Sequence, residues 1–195
     1  MYYESSASVS SMSDSSLVKT VHRKFQSSMT EHYRSHLDGT NINTNSMLTT
    51  DYLNHFSGVL MLLEMLPGDP GVSEDVLSWQ PISYEEHFDV TGFPESELAK
   101  KAYEHAPHDI RAAFDEVIDE LNDRLTAVLD EVRRKVDAKQ TEALARLCEE
   151  LAPSIHELIA EAATIVNHGR NNVVDMHSAG AEKVPAQVEI DALFD

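Results

Sequence analysis

Apolar residues recur every three or four positions through most of the second half of the chain, and this spacing is compatible with little other than helix. The first such run begins near Asp109 and contains Phe114, Val117, Ile118, Leu121, Leu125, Val128, Val132 and Val136. Its heptad-like spacing is typical of a long helix packed against another helix. The run either continues through residues 144–151 as one helix of about 40 residues, or breaks around residues 137–140 into two helices that fold back on each other.

The first half of the chain carries shorter helical patterns. Residues 17–37 have apolar residues at three- and four-residue steps beside a basic face, which predicts a helix. Thr50 is the expected N-cap of a more apolar, central helix that Pro67 ends. Ser83, followed three residues later by Glu86, is typical of a capping box at the start of a short helix.

Pro153 falls inside the later part of the apolar pattern. We expect it to end one helix, with Ser154 capping the next and Gly169 ending that last helix. No segment alternates between apolar and polar residues as a half-buried strand does. The predicted fold class is therefore all-α, a helical bundle with one long heptad-patterned helix.

Four stretches of different composition define the expected domain organisation. Residues 1–16 are rich in serine and predict a disordered N-terminal tail. Residues 17–169 are expected to form the helical domain. Residues 170–185 are polar and lack a sustained pattern, which predicts a linker. The linker leads to a C-terminal peptide, residues 186–195.

The net charge of the chain is −19. This acidity argues against a nucleic-acid partner and against an anionic membrane surface, because both are bound through Lys and Arg. It favours a partner with a basic surface.

Cys148 is the only cysteine, so no internal disulfide can form, which suits a reducing compartment. The N-terminal residues lack the pattern of a signal peptide. The longest apolar run, residues 58–66, is too short to span a bilayer. We therefore expect a cytoplasmic location.

The C-terminal peptide reads as a short amphipathic helix. Ile190, Leu193 and Phe194 fall at the i, i+3, i+4 spacing that places them on one face, and Glu189 and Asp191 supply charge beside it. A helix this short is marginal in water on its own. We expect it to become ordered when its apolar face enters a groove.

The segment from Gln187 to Phe194 resembles the peptide at the start of the flagellar switch protein FliM, of the form S-Q-x-E-I-D-A-L-L, and is similar to the C-terminal tail of the chemotaxis phosphatase CheZ. Both families use this peptide to bind the phosphorylated response regulator CheY. The resemblance implies a CheY-like regulator as partner, contacted by Gln187, Glu189, Ile190, Asp191, Leu193 and Phe194. The apolar residues would be the anchors, and the acidic residues would set orientation.

The resemblance to CheZ also implies a phosphatase built on long paired helices. Removing the phosphoryl group from an aspartate requires an attacking water held in line with the phosphorus. The CheZ spacing Asp-x-x-x-Gln does not occur on the long helix here, but a related phosphatase family uses Glu-x-x-Asn. The nearest matches are Asp119 with Asn122, the candidate catalytic pair, and Asp51 with Asn54. The alternative for Asp119 and Asn122 is a solvated helix face, and the alternative for Asp51 is a charge in the first turn of its helix. Whether the protein is catalytic or only a binder stays open. No cofactor is expected, since Mg²⁺ would belong to the regulator.

A short aromatic stretch around Trp79, Tyr84 and Phe88 separates the predicted helices. It could line a pocket, or its rings could cover one end of the bundle.

Two other classes of protein are compatible with this sequence. One is a helical scaffold or dimerisation module whose C-terminal peptide packs on its own domain, and the heptad-like helix makes a homodimer plausible. The other is a metal-binding bundle, for which His32 and His36 have the i, i+4 spacing of a chelating pair. No further converging ligand accompanies these histidines, so we predict no metal residue.

Overall fold

The structure is a computed structural model that describes the backbone of residues 8–168 and the side chains of residues 16–168. Over these residues the chain is all-α, with no strand, as predicted. The helices are α1 (Ser8–Arg34), α2 (Asn54–Met65), α3 (Ser73–Ser78), α4 (Tyr84–Val90), α5 (Ser96–Glu104), α6 (His108–Asp137) and α7 (Thr141–His168). Short 3-10 turns at Thr50–Leu53 and Pro70–Val72 precede α2 and α3. The predicted linker and C-terminal peptide, residues 170–195, lie outside the described residues.

The long apolar pattern is divided between α6 and α7, which pack along each other as a hairpin. The division falls at residues 138–140, where Lys139 adopts a left-handed conformation with φ of 53°. This residue reverses the chain, so the second of the two predicted arrangements is correct. The buried residues of α6 follow the predicted register: Phe114, Val117, Ile118, Leu121, Leu125, Val128, Leu129 and Val132.

The expected helix break at Pro153 is wrong, because α7 continues through it. Proline removes one backbone N–H and so deprives the carbonyl of Glu149 of its helical partner. Both residues are exposed, so water can satisfy that carbonyl. Ser154 does not cap a new helix; its Oγ donates to the backbone oxygen of Leu151 at 2.9 Å. Buried residues on both sides of the proline, Cys148 and Ile155 among them, keep the two halves of α7 on one core.

The first helix begins at Ser8, whereas the sequence predicted disorder up to Ser16. No glycine or proline interrupts residues 8–16, and serine has intermediate helix propensity, so the helix can extend through them. It ends at Arg34 rather than at Leu37, which is buried in the turn that follows.

Helix α2 packs against α7 and forms part of the core, with Phe56, Val59, Leu60 and Leu63 buried. The predicted central position of α2 is confirmed by these four buried residues, although Met61 on the same helix is 55% exposed. The predicted cap Thr50 does not cap α2. Thr49 caps the 3-10 turn before it, where Thr49 Oγ1 accepts from the N–H of Asp51 at 3.2 Å, and Leu53 precedes α2 without a side-chain capping bond.

The predicted capping box of α4 is confirmed. Ser83 Oγ accepts from the N–H of Glu86 at 3.2 Å, and Glu86 Oε2 accepts from the N–H of Ser83 at 2.8 Å. The box sets the direction in which α4 leaves residues 81–83, beside α6. None of the helices in the described range has both the length and the apolar character needed to cross a membrane.

Candidate functional site

An open cavity of about 430 Å³ lies where α6 meets the start of α4, the end of α5 and residues 81–83. Its volume falls in the range usual for small-ligand sites. The walls are formed by Tyr52, Pro81, Ile82, Ser83, Tyr84, Tyr103, Phe114, Asp115, Ile118, Asp119 and Asn122. Among the described residues this cavity combines apolar walls with converging polar groups.

One wall of the cavity is a polar stripe on α6. Asp115, Asp119 and Asn122 stand at i, i+4 and i+7, which places them on one helix face. Asp119 is exposed at the rim, whereas Asn122 is half-buried. Asn122 Oδ1 is buried and has no hydrogen-bond partner within the part of the chain that the structure describes. A buried acceptor of this kind normally requires a donor from water or a ligand, and this oxygen belongs to the predicted catalytic pair.

Asp115 forms the inner end of this polar stripe. The hydroxyl of Tyr103 donates to Asp115 Oδ1 at 2.8 Å. Burial raises the pKa of Asp115, and the charge of Asp119 raises it further; the Tyr103 hydrogen bond and Arg111 oppose that rise. The carboxyl group is thus less easily ionised than one in water.

The opposite wall is aromatic. The rings of Tyr84 and Tyr103 stack at 4.5 Å between centroids, and Arg111 lies 5.7 Å from the Tyr103 ring. The hydroxyl of Tyr84 accepts from the N–H of Thr49 at 3.1 Å, and that of Tyr52 donates to the oxygen of Ile82 at 2.7 Å. Burial raises the pKa of Tyr52, Tyr84 and Tyr103, so these phenols stay neutral.

The cavity is acidic, because two carboxyl groups and no basic residue line it. It therefore suits a cationic group, such as a Lys or Arg side chain, better than an unaccompanied phosphate. A phosphoryl group brought here would need a cation of its own to offset the charge of Asp115 and Asp119.

The second acid–amide pair, Asp51 with Asn54, forms hydrogen bonds that hold the fold together. Asp51 Oδ1 accepts from Asn54 Nδ2 at 3.2 Å, and Asp51 Oδ2 accepts from His87 Nε2 at 3.0 Å. Asp51 also lies in the first turn of its 3-10 segment, as predicted, where a carboxylate suits the helix dipole. His87 is buried, so this contact ties α4 to the start of α2. The pair is thereby occupied by the protein itself.

The rings of His32 and His36 are 4.8 Å apart, but His36 Nδ1 donates to the backbone oxygen of His32 at 2.8 Å. Within residues 16–168, no three or more His, Cys, Asp or Glu side chains are arranged to hold a metal ion. Cys148 is buried, and burial together with the charge of Glu149 raises the pKa of its thiol.

Two aromatic residues of this stretch have different surroundings, and of the two predicted purposes only the lining of a pocket is confirmed. Trp79 stacks on His55 at 5.0 Å between ring centroids and donates from Nε1 to the backbone oxygen of His55 at 3.2 Å, so it covers the side of α2. Tyr84 lines the cavity.

Sequence reasoning did not single out Asp115 or Tyr103. Asp115 could have been found, because it precedes Asp119 by one helical turn on the same face. Tyr103 could not, since only the packing of α5 beside α6 brings its hydroxyl to Asp115.

The predicted partner-binding residues, Gln187 to Phe194, lie outside the described residues. Comparisons with protein-family models, with curated proteins and with solved structures found no match to this chain.

Proposed function

We propose that this protein captures a CheY-like response regulator through residues 186–195. The observation that carries this proposal is the amino-acid sequence of the peptide, in which Ile190, Leu193 and Phe194 share one helix face and acidic residues surround them. A peptide of this kind gains its helix on binding, because the partner groove covers the apolar face. The net charge of −19 favours a partner with a basic rim, by steering it from a distance.

A second activity, dephosphorylation of the captured regulator, is favoured by the cavity on α6. Asn122 lines the cavity, and its Oδ1, which has no partner among the described residues, can accept a hydrogen bond from a water molecule and hold that water in place once the side-chain amide turns toward the cavity. Attack of the water on phosphorus forms one P–O bond and breaks the bond to the regulator's aspartate, which leaves as carboxylate. Both protons of the water depart with inorganic phosphate, as H2PO4−. Positioning of this kind is the main catalytic need in phosphoryl transfer.

In this scheme Asp119 forms an ion pair with the regulator. It is exposed at the cavity rim, where it can pair with a basic side chain of the regulator. Because the cavity has no basic lining residue, the charge of the phosphoryl group must be offset by Mg²⁺ that the regulator carries. Asp119 and Asn122 thus have separate parts, one in orientation of the partner and one in orientation of water.

The capture proposal is tested by deleting residues 186–195. We expect binding of a phosphorylated CheY-like regulator to be lost, measured by calorimetry, while helical content by circular dichroism is unchanged. Leu193→Ala should weaken binding, and Ala192→Ser, off the apolar face, serves as its control. Undiminished binding by the deletion variant would refute capture through this peptide.

The dephosphorylation proposal is tested by phosphate release from the regulator in single-turnover conditions. Asn122→Ala should slow release without weakening binding, because it removes the water acceptor alone. Asn54→Ala is the matched control, since it alters the other acid–amide pair, which the fold already uses. If the full chain does not accelerate release, or if Asn122→Ala releases phosphate at the unaltered rate, the protein only binds the regulator.

A further inference from the structure

The first half of α1 projects away from the helical body. Between residues 16 and 28 every side chain is exposed apart from the partly exposed Thr20. Contact with the body begins at Thr30, whose Oγ1 donates to the backbone oxygen of His105 at 2.8 Å, and at Tyr33, whose ring stacks on His105. Within residues 16–34, the contacts that hold α1 to the body therefore lie toward its C-terminal end.

The projecting part of α1 carries an apolar stripe, defined here as Leu17, Val18, Val21 and Phe25. These side chains are 64%, 66%, 60% and 62% exposed. They stand at positions i, i+1, i+4 and i+8 and so share a helix face. A serine-rich helix without tertiary contacts is marginal in water, and its apolar face is the part that a partner can stabilise.

The charges of this part of α1 indicate what covers the stripe. Lys24 flanks the stripe, Lys19 and Arg23 lie farther round the helix, and no acidic residue occurs from Leu17 to Phe25. The rest of the chain is strongly acidic, so this is a local basic surface. A second copy of α1 laid along the stripe would bring like charges together, whereas an acidic amphipathic segment would bring opposite ones.

Residues 186–195 of the same chain have that chemistry. Ile190, Leu193 and Phe194 share one helix face by their i, i+3, i+4 spacing, and Glu189 and Asp191 have the complementary charge. Two such faces can bury each other as a helix pair.

The chain connection allows this segment to reach the stripe. Residues 43–44 connect the end of α7 to the C-terminal end of α1. Asn43 Nδ2 donates to the backbone oxygen of Asn167 at 3.1 Å, and Arg34 Nε donates to the backbone oxygen of Thr44 at 2.9 Å. From Arg34 back to Val21 is about 20 Å along the helix. Residues 169–185, taken as a flexible chain, have a typical end-to-end distance of about 20–25 Å.

We infer that residues 186–195 dock in cis on the apolar stripe of α1. The regulator and the stripe then compete for one peptide, a consequence that rests on the proposed capture function. A tethered peptide meets its own stripe at an effective concentration of about millimolar. The apparent affinity for the regulator is lowered by the fraction of time that the peptide is docked.

Hydrogen exchange of the full chain, read by mass spectrometry on the peptide spanning residues 17–25, tests the docking. Deleting residues 186–195 should accelerate exchange of these amides about tenfold. Val21→Gln with Phe25→Gln, which removes the apolar face but keeps good helix formers, should accelerate it equally, and the deletion should then add nothing. Val90→Gln is the control, since Val90 is 74% exposed on α4.

The same variants separate the inference from the capture proposal. The Gln variants of the stripe should bind the regulator about tenfold more tightly, while Val90→Gln should not. Exchange unaffected by the deletion would overturn docking on α1 whatever the regulator does. Protection that rises with protein concentration would also overturn it, by showing that a second copy covers the stripe. Loss of capture together with tail-dependent exchange would leave the docking intact and refute only the capture proposal.

Discussion

The hydrogen bond from Tyr103 to Asp115 joins α5 to α6 at the inner end of the cavity, and Tyr103→Phe removes its donor. The donor–acceptor distance of 2.8 Å indicates a good bond. A hydrogen bond to an ionised group contributes about 1.5–3 kcal/mol to stability, and one between neutral groups about 0.5–1.5 kcal/mol. Asp115 is half-buried, so water can compensate in part. We expect Tyr103→Phe to lower the free energy of unfolding by about 1–2 kcal/mol.

A double-mutant cycle with Asp115→Asn isolates the charged part of this bond. Asparagine keeps the acceptor oxygen and the shape but not the charge, so Tyr103→Phe should cost less in that background, by about 1 kcal/mol. Urea denaturation at neutral pH gives the free energies of unfolding. Tyr52→Phe is the control, because its hydroxyl donates to the neutral carbonyl of Ile82, and its cost should not change with Asp115→Asn.

The cost of Tyr103→Phe in free energy of unfolding should depend on pH. The hydrogen bond favours ionised Asp115, so its charged contribution is complete above the pKa of Asp115 and is lost as the pH falls through that pKa. The cost of Tyr103→Phe should therefore shrink in acid. Coupling within the additivity error of about 0.3–0.5 kcal/mol at neutral pH, or a cost that does not change with pH, would refute this account of the cavity electrostatics.

Asp115→Asn by itself should raise the free energy of unfolding at neutral pH, because burial raises the pKa of Asp115 and ionising this carboxyl group costs stability. Urea titrations should show that the gain disappears in acid, and equal stability of the two proteins at neutral pH would contradict this prediction. Leu121→Ala should lower the free energy of unfolding by about 2–5 kcal/mol, since its fully buried side chain leaves a cavity. Val90→Ala, at a side chain that is 74% exposed, is the control and should change it by less than about 0.5 kcal/mol. Ser83→Ala should cost about 1 kcal/mol by removing the cap of α4, measured by thermal denaturation, and no loss would show that the cap is dispensable.

The sequence by itself determined those features that depend on neighbouring residues. Three- and four-residue spacing predicted the all-α class and the buried face of α6, because helical hydrogen bonds and side-chain periodicity are local. The capping box at Ser83 was correct for the same reason, since all of its partners lie within one turn. The reversal near Lys139 was one of two predicted outcomes, and local pattern alone could not choose between them.

Tertiary structure decided what depends on residues far apart in the chain. Pro153 stays inside α7 because the core holds the helix on both sides, and that core is not visible in the local pattern. Asp119 and Asn122 share a face by sequence, but only the approach of α4 and α5 makes that face a cavity wall, with Tyr103 brought to Asp115. The exposure of the α1 stripe likewise follows from where the body of the protein ends. In each case the helix forms from local interactions, and its surroundings come from packing between segments that the sequence separates.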